Sequence, residues 1–86
     1  MPRISAFYGI MIYMYYKDHA PPHFHAIYGE YEAEVLIQTG QILRGFLPSR
    51  ARSLVVQWAT MHGEELLDDW NLARNGELLR PVEPLE

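Results

Sequence analysis

Apolar and polar positions divide the chain into an alternating first half and a helical second half. Phe7 to Tyr16 is built largely of Tyr, Ile and Met, aromatic and aliphatic types suited to extended backbone. Alternation puts Ile10, Ile12 and Met14 on one face and Met11, Tyr13 and Tyr15 on the other. With both faces apolar, the pattern predicts a strand that is central in its sheet or covered by a partner. His23 to Tyr28 and Tyr31 to Gln38 are two further strands. Gly29-Glu30 between them suits a two-residue type II′ turn, which takes glycine first. That turn pairs Tyr28 with Tyr31, Ala26 with Ala33 and Phe24 with Val35 on one apolar face. Ile27 then opposes Glu32 and His25 opposes Glu34 on the other face, with His23 two residues along on that same side. Thr39-Gly40 is a second tight turn into a fourth strand, Gln41 to Leu47. Its simple register sets Gly45 beside Glu34 and Arg44 beside Val35.

After Pro48 the period changes. Ser49 is a natural N-cap, and Ala51, Leu54, Val55, Trp58, Ala59 and His62 recur at spacings of three and four. Gly63 interrupts the stripe. A second segment carries Leu66, Leu67, Trp70 and Ala73 inward, and Asn75-Gly76 is a stop signal. The set Glu64, Glu65, Asp68 and Asp69 reads as polar surface, and the proline-containing tail as extended chain. The pattern predicts one α+β domain over residues 1–86. An antiparallel meander of three or four strands (about 7–16, 23–28, 31–38 and 41–47) is followed by helical segments 49–62 and 64–75 packed on one face, with an extended tail 76–86.

Composition narrows the classes. Of 86 residues, 49% are hydrophobic and 21% charged, a globular balance, and the absence of cysteine excludes disulfides and thiolate metal sites. No stretch approaches the length of a membrane span and no secretory leader is evident, so a cytoplasmic protein without a membrane partner is expected. Seven basic residues against eleven acidic ones give a net charge of −4, which disfavours a general nucleic-acid surface. Arg44, Arg50 and Arg52 still form a local basic island. Six tyrosines, mostly in strands, are read as sheet packing, and Trp58 and Trp70 as core anchors.

The segment His19-Ala20-Pro21-Pro22-His23-Phe24-His25 holds three of the four histidines. Imidazole binds transition metals and exchanges protons near neutral pH. Two chemistries fit. His19, His23 and His25 are candidate ligands of a divalent metal such as zinc, with the cross-strand Glu34 able to add a carboxylate. Alternatively Glu34 orients His25 as a metal-free acid or base for cleaving RNA, with His23 beside it and Arg44 or Arg50 stabilising the charged transition state. The bland alternative is a His-Glu pair that fixes the hairpin. His62 lies on the helical stripe, on the far side of the sheet, and is expected to serve the helix junction.

Several stretches carry a likeness to a known family: Pro2-Arg3-Ile4-Ser5, the Phe7 to Gly9 segment, Asp18-His19-Ala20-Pro21-Pro22-His23-Phe24-His25-Ala26, Trp58-Ala59, Glu65-Leu66-Leu67 to Trp70, and Glu83-Pro84-Leu85. Together they resemble a family of small bacterial and archaeal proteins that carry a domain of unknown function, marked by the Pro-Pro-His-Phe-His-Ala core. The resemblance implies a two-gene arrangement of toxin–antitoxin type and a protein partner from the adjacent gene, or self-association. It assigns no catalytic residue. The first expectation is therefore an interaction module. An RNase-like toxin using His23, His25, Glu34 and Arg44 is the alternative from the enzyme class, and a His-ligated metalloprotein is the third.

Overall fold

The computed structural model describes residues 2–86. Five strands, β1 (Arg3–Phe7), β2 (Ile10–Tyr13), β3 (His23–Tyr28), β4 (Tyr31–Leu36) and β5 (Ile42–Gly45), form one antiparallel sheet in chain order. Helices α1 (Ser49–Met61) and α2 (Gly63–Arg74) follow. This is the expected α+β meander followed by two helices, with one strand more than the pattern indicated.

The extra strand comes from the N-terminus. The apolar run expected as a single strand over 7–16 is broken at Tyr8-Gly9, where φ is +50° and +79°. Two consecutive positive φ values are the signature of a type I′ hairpin turn, which matches the right-handed twist of the strands it joins. Tyrosine seldom occupies that region, so the aromatic run hid the turn. β1 therefore pairs back along β2 and places β2 between two neighbours.

The central hairpin has the expected register: His23 opposes Leu36, Phe24 opposes Val35, His25 opposes Glu34, and Tyr28 opposes Tyr31. The next pairing differs from the expected one. Ala33 opposes Gly45, Glu34 opposes Arg44 and Val35 opposes Ile42, with a bulge between the last two. The bulge moves Arg44 off the core face, where simple pairing would have buried its charge. Gly45 is required where it lies: φ is +88°, and a Cβ there would collide with the Glu32 carbonyl oxygen.

One face of the sheet carries Ile10, Ile12, Met14, Phe24, Ala26, Ala33 and Val35, all buried. The helices cover it with Ala51, Val55, Trp58 and Ala59 from α1 and Leu66, Trp70 and Ala73 from α2. Trp58 is the central piece. Its ring lies 5.2 Å from Phe7 and meets Phe24 edge-on at 5.6 Å, while its indole N–H donates to the Glu83 carbonyl at 2.8 Å. The tail after Gly76 carries no regular secondary structure and forms part of the core. Val82 and Leu85 are buried, and the Val82 amide donates to the Ile4 carbonyl at 2.8 Å.

Three smaller expectations are corrected. Ser49 is the first helical residue and Pro48 the cap, and no side-chain cap bond forms because the proline ring carries no acceptor. The helix break falls at His62, which ends α1 and begins α2. Asp69 is not on the surface. It is 1% exposed, and its Oδ1 accepts the Arg80 amide at 2.9 Å, fastening the tail to α2. Among the described residues, no helix is long and apolar enough to cross a membrane.

Candidate metal centre

The second face of the sheet holds Met11, Tyr13, His25, Ile27, Glu32 and Glu34, placed there by the alternation and register. His23 lies on the same side at the start of β3. The segment 14–22 returns the chain across the end of the sheet. Its Lys17 amide donates to the Ala73 carbonyl at the end of α2, and the Pro22 carbonyl accepts the Ile37 amide. Ala20–Pro21 is a cis peptide. Between these anchors the segment delivers one carboxylate, Asp18, onto the two strand histidines.

Asp18 is the centre of the arrangement. Its Oδ2 lies 3.0 Å from His23 Nε2 and 3.1 Å from His25 Nε2. The Oδ1 accepts the His19 amide at 2.9 Å and sits 3.0 Å from His19 Nδ1. Burial alone pushes the Asp18 carboxyl up. The bonds from His25 and the His19 amide, with the neighbouring His23 and His25 rings, outweigh it and hold the group below the ordinary aspartate value. Ligating atoms of Asp18, His23 and His25 all lie within 4.8 Å of one another.

The two rings are fixed from behind. His23 is fully buried, and its Nδ1 is 2.7 Å from the Pro21 carbonyl oxygen. A carbonyl only accepts, so Nδ1 carries the proton and Nε2 faces Asp18 with its remaining site. Trp70 and His19 pack against this ring at centroid distances of 5.2 and 5.5 Å. The His25 Nδ1 points toward Glu32 Oε2 at 3.4 Å, too loosely for a hydrogen bond, and Tyr15 covers its ring at 4.2 Å. Burial, then Glu32, Tyr13 and Asp18, raise the Tyr15 hydroxyl above its ordinary value.

The sequence candidates fall out unequally. His23 and His25 converge. Glu34 opposes His25 in register, yet its Oε1 lies nearer to the other ring, 3.6 Å from His23 Nε2, and this oxygen is buried without a hydrogen-bond partner. The His25–Glu34 contact expected from simple pairing is thus replaced by His25–Asp18. His19 is largely exposed and pairs with the outer oxygen of Asp18, outside the converging set, because that set is already closed on Oδ2. Arg44 stands beside Glu34 in register, exposed and without an ion pair among the described residues. His62 belongs to the helix junction, its Nδ1 2.7 Å from Glu65 Oε1. Asp18 is the residue that sequence reasoning missed. The available signal was a carboxylate just upstream of a diproline loop that must bring the chain back to the strand histidines.

Two buried rings that turn Nε2 toward one carboxylate oxygen, one with its Nδ1 spent on a backbone carbonyl, are a donor set that could hold a metal ion. The same contacts in the absence of an ion need a proton between His23 Nε2 and Asp18 Oδ2. No curated protein and no solved structure matches the chain. A family model does match, over residues 9–71, a stretch that runs from the first turn into α2 and holds every residue of this cluster. The chain belongs to the family of that model, the domain of unknown function DUF4160.

Proposed function

We propose that this protein binds one divalent transition-metal ion through Asp18 Oδ2, His23 Nε2 and His25 Nε2. The observation that carries the reading is the committed Nδ1 of His23. With Nδ1 donating to Pro21, Nε2 is the only ring atom left to face Asp18 Oδ2 at 3.0 Å and Glu34 Oε1 at 3.6 Å, and without a cation on it that atom would present a lone pair. Lone pair against carboxylate is repulsive; a cation between them reverses the sign. The spacing also supports an ion. Bonds of about 2.0–2.1 Å in a tetrahedron put neighbouring ligand atoms roughly 3.3 Å apart. The Asp18 contacts to the two rings, at 3.0 and 3.1 Å, are as short as hydrogen bonds, and all three ligand atoms lie within 4.8 Å of one another, so an ion enters by a small outward shift. Two imidazoles with one carboxylate suit zinc, and the cluster holds no cysteine thiolate to favour a softer ion. Three protein ligands leave a fourth position for water or substrate.

The test is the metal content and zinc affinity of the full chain by calorimetry after exhaustive chelation. One ion per chain is expected, with binding lost in His23→Ala and weakened at least about tenfold in Asp18→Asn. Wild-type protein that takes up no ion overturns the reading and leaves a protonated His23 as the cation of the cluster.

A second reading is partner binding, as one half of a toxin–antitoxin-like gene pair. It is favoured by exposed aromatic side chains around edge strand β5: Phe46 is 60% exposed and meets Tyr31 at 5.6 Å, with Leu43 and Tyr28 also exposed. Co-purification with the product of a neighbouring gene, abolished by Phe46→Asp, is the expected result. Retention of a complex by that variant removes β5 as the docking edge.

A further inference from the structure

The cluster lies in the middle of a row that crosses all five strands. Arg3, Tyr13, His25, Glu34 and Arg44 are successive partners from β1 to β5. The Arg3 guanidinium rests 3.6 Å from Met11 Sδ, which places it on this face of the sheet. Neighbouring strands lie about 4.8 Å apart, so each arginine starts roughly 10 Å from His25. A guanidinium extended toward the middle of the row would meet a ligand seated beside the histidines. Neither arginine pairs with a carboxylate among the described residues. The row also holds a flat surface: Tyr13 stacks on Tyr15 at 6.4 Å and 23°, and Tyr15 covers His25.

Charge makes the face conditional. Asp18, Glu32 and Glu34 set three carboxylates against the two guanidiniums, so without an ion, even with a proton held between His23 and Asp18, the face carries no net positive charge to draw an anion. A bound divalent cation turns that balance positive and adds an open coordination position at its centre. An anion with several oxygens, held by the ion on one side and by a planar guanidinium on the other, is what this geometry takes. A phosphate ester meets both. The adjacent tyrosine adds a preference for an attached aromatic base.

We propose that the metal-loaded face binds the phosphate ester of a nucleotide. One phosphate oxygen completes the ion's coordination, Arg44 holds the others, and the base stacks on Tyr13. This rests on the metal reading above and is tested so that the two fail separately. Cobalt(II)-loaded full-length protein is titrated with inorganic phosphate, uridine monophosphate and an eight-residue oligouridylate, following the cobalt absorption spectrum and the heat of binding. Phosphate and uridine monophosphate are expected to change the cobalt spectrum, the nucleotide binding about tenfold more tightly. Arg44→Ala is expected to take up cobalt as the wild type does and to lose at least about tenfold in affinity for both. Tyr13→Leu is expected to lose affinity for the nucleotide alone. An oligouridylate that binds much more tightly than the monophosphate identifies an RNA strand reaching Arg3 as the source of the phosphate; equal affinities identify a free nucleotide. A loaded protein whose spectrum and heat ignore millimolar phosphate and nucleotide, or an Arg44→Ala variant that binds both as well as wild type, overturns the proposal with metal binding intact. Failure to load cobalt at all overturns the metal reading first.

Discussion

Zinc should raise the thermal stability of this protein, and Asp18→Ala should abolish the effect. The three ligand atoms come from two places: the 14–22 segment supplies Asp18, and β3 supplies His23 and His25. In the unfolded chain nothing holds Asp18 Oδ2 within 3.0 and 3.1 Å of the two Nε2 atoms, so the ion binds the folded state selectively. Selective binding stabilises by RT ln(1 + [L]/Kd), about 2.7 kcal/mol at a free concentration one hundred times Kd. A domain of this size shifts by roughly 4–8 °C for each kcal/mol, so the melting temperature should rise by about 11–22 °C. Circular dichroism melts of the full chain, with zinc buffered at that concentration and with chelator, measure the difference directly. The reasoning is refuted if wild-type protein melts at the same temperature in both conditions. It is equally refuted if Asp18→Ala, folded by its spectrum, keeps the full shift.

Other consequences concern the framework around the site. Burial, and secondarily Asp68 and Glu65, push the Asp69 carboxyl up against the lowering effect of the Arg80 amide bond. A carboxyl raised in the folded state gives stability that is present below its unfolded value and lost as pH rises through the folded one. Wild type should therefore lose stability relative to Asp69→Asn as pH rises from 3 upward, which denaturant titrations at a series of pH values will show; parallel curves would contradict it. Gly45→Ala must hold a non-glycine residue at φ +88° with its Cβ against the Glu32 carbonyl. A loss of at least about 1–3 kcal/mol in urea unfolding is expected, and an unchanged midpoint would show that β5 shifts freely. Trp58→Phe removes the 2.8 Å bond to Glu83 while keeping an aromatic ring against Phe7 and Phe24. It should cost about 1 kcal/mol beyond the lost volume and speed amide exchange at Val82; unchanged exchange would mean the tail is held by packing alone.

The legible parts of the fold were those in which two local signals agreed. The β3–β4 hairpin has an alternating pattern and a glycine-first turn, and both fix the same register, so His25 opposite Glu34 is readable from the pattern alone. The helices were marked by periodicity and by Gly63 and Asn75-Gly76, and their bounds moved by only a residue. Where a single signal stood alone it misled. Tyr8-Gly9 takes a turn geometry that tyrosine rarely adopts, so pattern alone ran straight through it. The bulge that seats Arg44 beside Glu34 answers a tertiary need, keeping a guanidinium out of the core, that hairpin counting does not contain. Asp69 looked like one more acid in an acidic helix because its partner, the Arg80 amide, lies eleven residues on.

Half of the candidate site was legible for the same reason. His23 and His25 share a strand face by simple alternation. Asp18 reaches them through a loop whose path depends on anchors at Ala73 and Ile37, contacts with no local sequence pattern. His19 was a ligand candidate from its place in the histidine-rich segment, but its ring faces the outer oxygen of Asp18.

The most direct measurement is long-range ¹H–¹⁵N correlation of the four histidine rings, recorded with and without zinc. If Asp18, His23 and His25 hold the ion, the Nε2 resonances of His23 and His25 will move together on addition of one equivalent. The His23 Nδ1 proton will remain, and His62 will be unchanged. A spectrum in which zinc perturbs His62 first, binds through His23 Nδ1, or leaves all four rings untouched would contradict the metal centre.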